Sequence, residues 1–236
     1  MRYHLNVRDR SMKPKSKRAA AACTNRVFLL SPANAAGKRA QLLLREEAMF
    51  GLAQRLRNGG LALGEAFSFI SGLYFRGKLA YASTFANPPD GAPGVLVITA
   101  CGGLMSPDAL ITQSDLCKIS AALVDASEPR YRIPLERDAR RLHKQLGKNS
   151  EVVLLGSVAT PKYVEPLLAI FGDKLVFPAD FAGRGDMSRG GLMLRCVREQ
   201  VELTYVSIAT GKRHGPRPAK LPKIVVGRSY VKSQQI

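Results

Sequence analysis

Two short segments concentrate the residue types that could do chemistry. The first, Ser31-Pro32-Ala33-Asn34-Ala35-Ala36-Gly37-Lys38-Arg39, joins an apolar run to a helical pattern through small residues, one carboxamide and two cations. Small side chains let a sugar or nucleic-acid backbone approach closely, and the free amides of a helix start attract phosphate. The segment is not a P-loop, because Gly37-Lys38 is followed by Arg39 and Pro32 stands where the first glycine is required. The second runs from Phe177 to Gly191 and sets Asp180, Arg184, Asp186, Ser188 and Arg189 among Gly183, Gly185 and Gly190. Amides freed by the glycines, with the two arginines, would cradle phosphate, while either aspartate could orient water or stabilise a developing cation. So polar a stretch is expected to be a loop outside the core.

Other polar and aromatic residues are less concentrated. Phe67 and Phe69 alternate, which on a strand would present both rings to one side as a stacking face for a base. His4, His143 and His214 are scattered, and no triad can be assembled from them. Cys23, Cys101, Cys117 and Cys196 contain no C-x-x-C pair, so the cysteines read as reduced thiols, and neither a metal nor an organic cofactor is implied.

The elements that must position these segments follow from apolar patterning. Val27 to Ala33, Gly94 to Ala100, Glu151 to Leu155 and Lys174 to Phe177 are short apolar runs bounded by turn residues, the pattern of strands buried on both faces. Helical spacing is found from Lys38 to Arg57, at 136–146 and from about Pro161 to Phe171, and Ser106-Pro107-Asp108 reads as a further helix entry. An aromatic-rich stretch spans Leu63 to Ala82, and a pair of strands is expected within 192–208. Such alternation predicts an α/β fold in three layers, a mainly parallel central sheet with helices on both faces. Ligands then lie beyond the carboxyl ends of the strands, which places Asn34, Gly102, Gly156 and Pro178 on one rim.

Charge divides the chain. Its 36 Lys and Arg exceed 18 Asp and Glu by +18, but residues 1–26 and 212–236 each carry a net +7 and the single domain expected at 27–211 only +4. A field of this sign gathers polyanions and excludes a neutral surface. The C-terminal segment Lys212-Arg213-His214-Gly215-Pro216-Arg217-Pro218 alternates cations with prolines, so it reads as an extended strap able to follow a phosphate backbone. With 46% hydrophobic residues the chain can bury a core, yet no apolar run is long enough for a membrane span and the basic N-terminus lacks an apolar signal region, which points to the cytoplasm.

Taken in order, the blocks Leu30 to Gly37, Phe67-Ser68-Phe69, Val95 to Thr99, Val152 to Gly156, and Phe177-Pro178-Ala179-Asp180-Phe181 running into Arg184 to Gly191 resemble the uracil-DNA glycosylase superfamily. The likeness covers about residues 27–195, although neither the usual first motif nor the His-Pro-Ser-Pro motif of that superfamily is intact. It implies a uracil-DNA-glycosylase-like fold and excision of a flipped base. Asn34 would position water, with Asp180 or Asp186 stabilising the cationic sugar. Phe67 and Phe69 would stack the base and Thr99 would read it, while Lys38, Arg39, Arg184, Ser188 and Arg189 would hold phosphates. The segments SPAN-x-x-GKRA, GLYFRGKLAYA, FPADF-x-GRGDMSRGG and RHGPRP are also similar to those of a bacterial family. That likeness implies a phage-defence glycosylase removing glucosylated hydroxymethylcytosine from phage DNA, its wide pocket formed by small rim residues. From the residues alone, two other readings stay open: a noncatalytic nucleic-acid-binding module, and an enzyme acting on tRNA or a phosphorylated nucleotide.

Overall fold

A computed structural model describes residues 24–221. Residues 1–23 and 222–236, which belong to the two basic tails expected from the sequence, lie outside the described residues. Six strands form a central sheet in the order β4-β3-β1-β6-β7-β8. Its middle is parallel: β1 (Asn25–Leu30) lies between β3 (Val95–Ile98) and β6 (Ser150–Leu155), and β7 (Leu175–Pro178) pairs with β6. Antiparallel β4 (Leu104–Met105) and β8 (Tyr205–Ser207) close the two edges. A small separate pair joins β2 (Leu61–Ala62) to β5 (Leu110–Ile111).

The parallel strands are the apolar runs expected from the sequence, each within a few residues of its expected limits. Val27, Phe28, Leu29 and Leu30, and likewise Val152 to Leu155, are fully buried at consecutive positions. Successive side chains point to opposite faces, so both faces of the sheet are covered. The chain is therefore α/β with a mostly parallel sheet flanked by helices. The helices are α1 (Lys38–Leu44), α2 (Gly51–Asn58), α3 (Leu63–Ser71), α4 (Leu73–Phe85), α5 (Gln113–Ala121), α6 (Pro129–Gln145), α7 (Pro161–Phe171) and α8 (Asp186–Glu199).

Several local expectations are corrected. The single helix expected over Lys38 to Arg57 is two helices. In the break, the Arg57 guanidinium donates to the carbonyls of Arg45 at 3.1 Å and Ala48 at 2.6 Å, supplying partners that a helix would otherwise provide. Ser106-Pro107-Asp108 is a turn, and α5 begins only after Thr112, where Thr112 and Asp115 form a reciprocal capping box. Phe67 and Phe69 sit on helix α3, not a strand, so they do not share a face. The glycine-rich stretch is helical from Asp186 onward, and the expected strand pair reduces to the end of α8 followed by β8. Arg26, assigned to the basic tail, belongs to β1 and is paired with Glu151 at 2.9 Å and Glu202 at 2.8 Å.

The α8 glycines have a packing reason. A Cβ on Gly190 would lie 2.8 Å from the Leu73 carbonyl oxygen and 2.9 Å from Tyr74 Cα, and one on Gly77 would lie 2.8 Å from the Gly190 oxygen. Helices α4 and α8 thus cross backbone to backbone. Glycine costs a helix about 1 kcal/mol relative to alanine, and here that cost permits the approach. Gly190→Ala is expected to lower stability by about 1–3 kcal/mol, as overpacking does, with a lower urea midpoint at unchanged slope. A wild-type midpoint in that variant would show that the crossing tolerates a methyl group.

Candidate functional site

The carboxyl ends of β1, β3 and β6 open into a cavity of about 430 Å³. Chain order changes direction across β1, since β3 lies on one side of it and β6 on the other, and this switch is where α/β sheets bind ligands. The β1 end contributes Ser31 to Ala36, β3 contributes Ala100, and Ser157 follows β6. Gly156 keeps the two central ends close, since a Cβ there would stand 2.8 Å from that of Ser31. Helices supply the opposing walls: Tyr74 from α4, Lys162 and Tyr163 from α7, and Asp186 from the first turn of α8.

Of the residues singled out from the sequence, Asn34 and Asp186 meet at this cavity. Asn34 is exposed, and its side-chain oxygen accepts the Ala36 amide at 3.2 Å, which leaves its NH₂ group directed by a short Asx-type turn. Asp186 is 67% exposed, and its Oδ1 stands 3.6 Å from Arg189 Nη1. Asp180 is also exposed but belongs to the short turn after β7 and does not line the cavity. Of the two aspartates the sequence left open, Asp186 alone lines this cavity.

Other assignments change. Phe67 is fully buried, edge-to-face with Phe75 at 5.4 Å, so its ring offers no face to a base. Phe69 stacks on Phe50 at 5.5 Å and lies outside the cavity lining. The Thr99 hydroxyl accepts the Gly102 amide at 2.9 Å and donates to the Gly103 carbonyl at 3.0 Å, closing the turn from β3 to β4. Both of its hydrogen bonds serve that turn, and it does not line the cavity, where Ala100, just past β3, stands instead. Arg189 is buried, donates to the Phe181 carbonyl at 2.9 Å and lies over the Phe181 ring, so it braces the fold beneath Asp186 and does not grip phosphate. Lys38 and Arg39 are exposed at the start of α1, with Arg39 reaching the Phe69 carbonyl at 3.3 Å.

Arg184 and Ser188, hydrogen-bonded to each other at 3.2 Å, line a second groove on the far side of the first turn of α8. Its other wall is the chain from Arg217 to Leu221, and Arg195 and Lys220 add to its charge. The part of the expected C-terminal strap that is described therefore runs along the domain. Gly183 lets it pass: with φ at +73°, this residue takes a conformation that favours glycine, and a Cβ there would collide with the Pro216 carbonyl.

Lys78, unnoticed in the sequence, lies behind the cavity wall. It is 1% exposed, and its Nζ donates to the Ser31 carbonyl at 2.5 Å and to Ser31 Oγ at 2.9 Å. The Tyr74 ring lies 4.5 Å from the ammonium. Burying a charge costs several kcal/mol, whereas hydrogen bonds to a charged group contribute about 1.5–3 kcal/mol each, so the two effects nearly balance. Burial accordingly pushes the Lys78 pKa down to about 7, with Asp186 opposing the shift and Arg189 adding to it. A signal was available, since Tyr74, Phe75, Lys78, Tyr81 and Ala82 form one helical stripe, on which a lysine among buried aromatics stands out.

Among the described residues no three His, Cys, Asp or Glu side chains converge as a metal site, and no helix is long and apolar enough to cross a membrane. Comparison with protein-family models, curated proteins and solved structures finds no match to this chain.

The lowered pKa of Lys78 has a measurable consequence. Between about pH 7 and 10.5 the unfolded chain holds a proton on this lysine that the folded chain has released, so stability rises with pH in that window. In denaturant titrations from about pH 7 to 8.5, where the cysteines and tyrosines common to both proteins cancel in the difference, wild type is expected to gain stability relative to Lys78→Met. Parallel curves for the two proteins would rule out titration of a buried Lys78.

Proposed function

We propose that the chain is a monofunctional DNA glycosylase of uracil-DNA-glycosylase-like type, excising a modified base from DNA in phage defence. The glucosylated hydroxymethylcytosine of phage DNA is its candidate target. The observation that carries the reading is the convergence of Asn34 and Asp186 on a cavity at the sheet's switch point, beside a basic groove. A flipped nucleotide needs such an enclosed site next to a surface that holds phosphates.

In this reading the flipped base enters among Tyr74, Tyr163 and the β1 end. The C1′–N bond breaks with its electron pair leaving on the base, and positive charge grows on the sugar. The Asp186 carboxylate stabilises that charge electrostatically. A water oriented by Asn34 adds to C1′ and gives up a proton, so the products are a free base and an abasic site. Lys38 and Arg39 beside the Asn34 loop, and Arg184, Ser188, Arg217 and Lys220 along the groove, hold the DNA backbone. The small residues Ala33, Ala35 and Ala36 leave room for a substituent on the base.

The test is incubation with unmodified, uracil-containing and glucosylated phage DNA, followed by alkali to break abasic sites. Wild type is expected to cut one modified DNA, with Asp186→Asn and Asn34→Ala reduced about 100-fold or more in turnover while their DNA affinity is kept. No alkali-labile sites in any DNA, with salt-sensitive binding intact, would instead identify a noncatalytic binding module. Arg217→Ala is expected to weaken binding to all sequences alike and to lower the slope of log K against log salt by about 1; an unchanged slope would remove the strap from the DNA face.

A further inference from the structure

Two buried donors beside the cavity lack acceptors. Among the described residues, the Tyr74 hydroxyl and Arg189 Nε are sealed from solvent and neither finds an acceptor, although Arg189 stands close enough to the Tyr74 oxygen to donate to it. Tyr74 as a whole is 8% exposed and Arg189 9%. Leaving a buried polar group unmatched costs about 1–3 kcal/mol, so an acceptor that takes these protons in another conformation is to be sought. It cannot come from Arg189, whose guanidinium carries donors only. Burial, opposed by Arg189, pushes the Tyr74 pKa up to about 12, so the hydroxyl keeps its proton and remains a donor.

One exposed acceptor is already adjacent. Asp186 bears electrostatically on Tyr74 and Lys78 of α4 and on Tyr163 of α7, while Arg189 of its own helix stands 3.6 Å away. At 3.6 Å, and with the carboxylate largely exposed, that pair is a weak tether. We propose that Tyr74 and Arg189 are positioning residues for Asp186: its carboxylate exchanges between the outward position and an inward one that accepts from the Tyr74 hydroxyl and the Arg189 guanidinium.

The inward carboxylate is held by donors from two helices whose backbones touch, so its orientation is set by the α4–α8 crossing and no longer by a freely rotating side chain. Held donors favour the ionised carboxylate, the form that stabilises a cationic sugar. The catalytic meaning of this arrangement rests on the glycosylase reading; the contact itself does not.

The experiment uses wild type and Tyr74→Phe. First, the Asp186 carboxyl is titrated by carbon-detected NMR. Loss of the tyrosine donor is expected to raise its midpoint, and an unchanged midpoint overturns the proposal. Because that donor favours the ionised carboxylate, the free Tyr74→Phe protein is expected to lose stability at neutral pH and not below the carboxyl's midpoint; an equal loss at both pH values would reveal a structural bond and overturn the proposal. In the excision assay, Tyr74→Phe is expected to lower kcat about tenfold at unchanged KM, and to cause no further loss in Asp186→Asn. If wild type excises nothing, the glycosylase reading falls, while the carboxyl titration still decides the contact.

Discussion

The backbone crossing of α4 and α8 is the constraint on which the site depends. Because neither Gly77 nor Gly190 has a side chain, the helices meet at carbonyl contact distance. That brings the polar side chains Tyr74 and Lys78 from one helix against Asp186 and Arg189 from the other. Separating the helices by the thickness of a methyl group would loosen every one of these relations. The same crossing explains why the two halves of the chain cannot be assigned separate roles: the cavity takes its floor from β1 and its walls from helices far apart in sequence.

Lys78 ties this helix pair to the sheet. Its two bonds to Ser31 fix the last turn of β1 at the point where the strand gives way to the Asn34 loop. Ser31 in turn faces Gly156, so the two central strand ends, the lysine and the cavity floor form one connected unit. A buried amine whose charge is nearly balanced between burial and hydrogen bonding makes that unit sensitive to small electrostatic changes, including the position of the Asp186 carboxylate.

How legible this was in the sequence differed by element. The four parallel strands were plain, since a strand covered on both faces must be a continuous apolar run, and Val27 to Leu30 and Val152 to Leu155 are such runs. Their carboxyl-end loops followed from the topology, which is why Asn34 and Asp186 were within reach. Helix α8 was not, because its glycines and arginines have loop-like propensities and only the partner helix gives Gly190 its purpose. Alternation made Phe67 and Phe69 look like a strand face. On a helix the same spacing turns one ring into the core and leaves the other at its edge, so the stacking role fails for Phe67. Asp180 and Asp186 could not be separated by composition, since only the path of the chain after β7 sends one to the cavity and the other away from it.

The ion pairs of Arg26 have a geometric consequence for the two charged ends. They anchor the first residues of β1 to Glu151 and Glu202, at the edge of the sheet opposite the strand ends that form the cavity. A six-residue strand spans roughly 20 Å, so Arg26 stands about one strand length away from the cavity, whereas Arg217 to Leu221 pass beside Met187, next in sequence to Asp186. Among the described residues, Arg26 thus marks the amino end of the parallel strands and Arg217 and Lys220 stand toward their carboxyl end, so the cations that flank the sheet are separated along the strand direction.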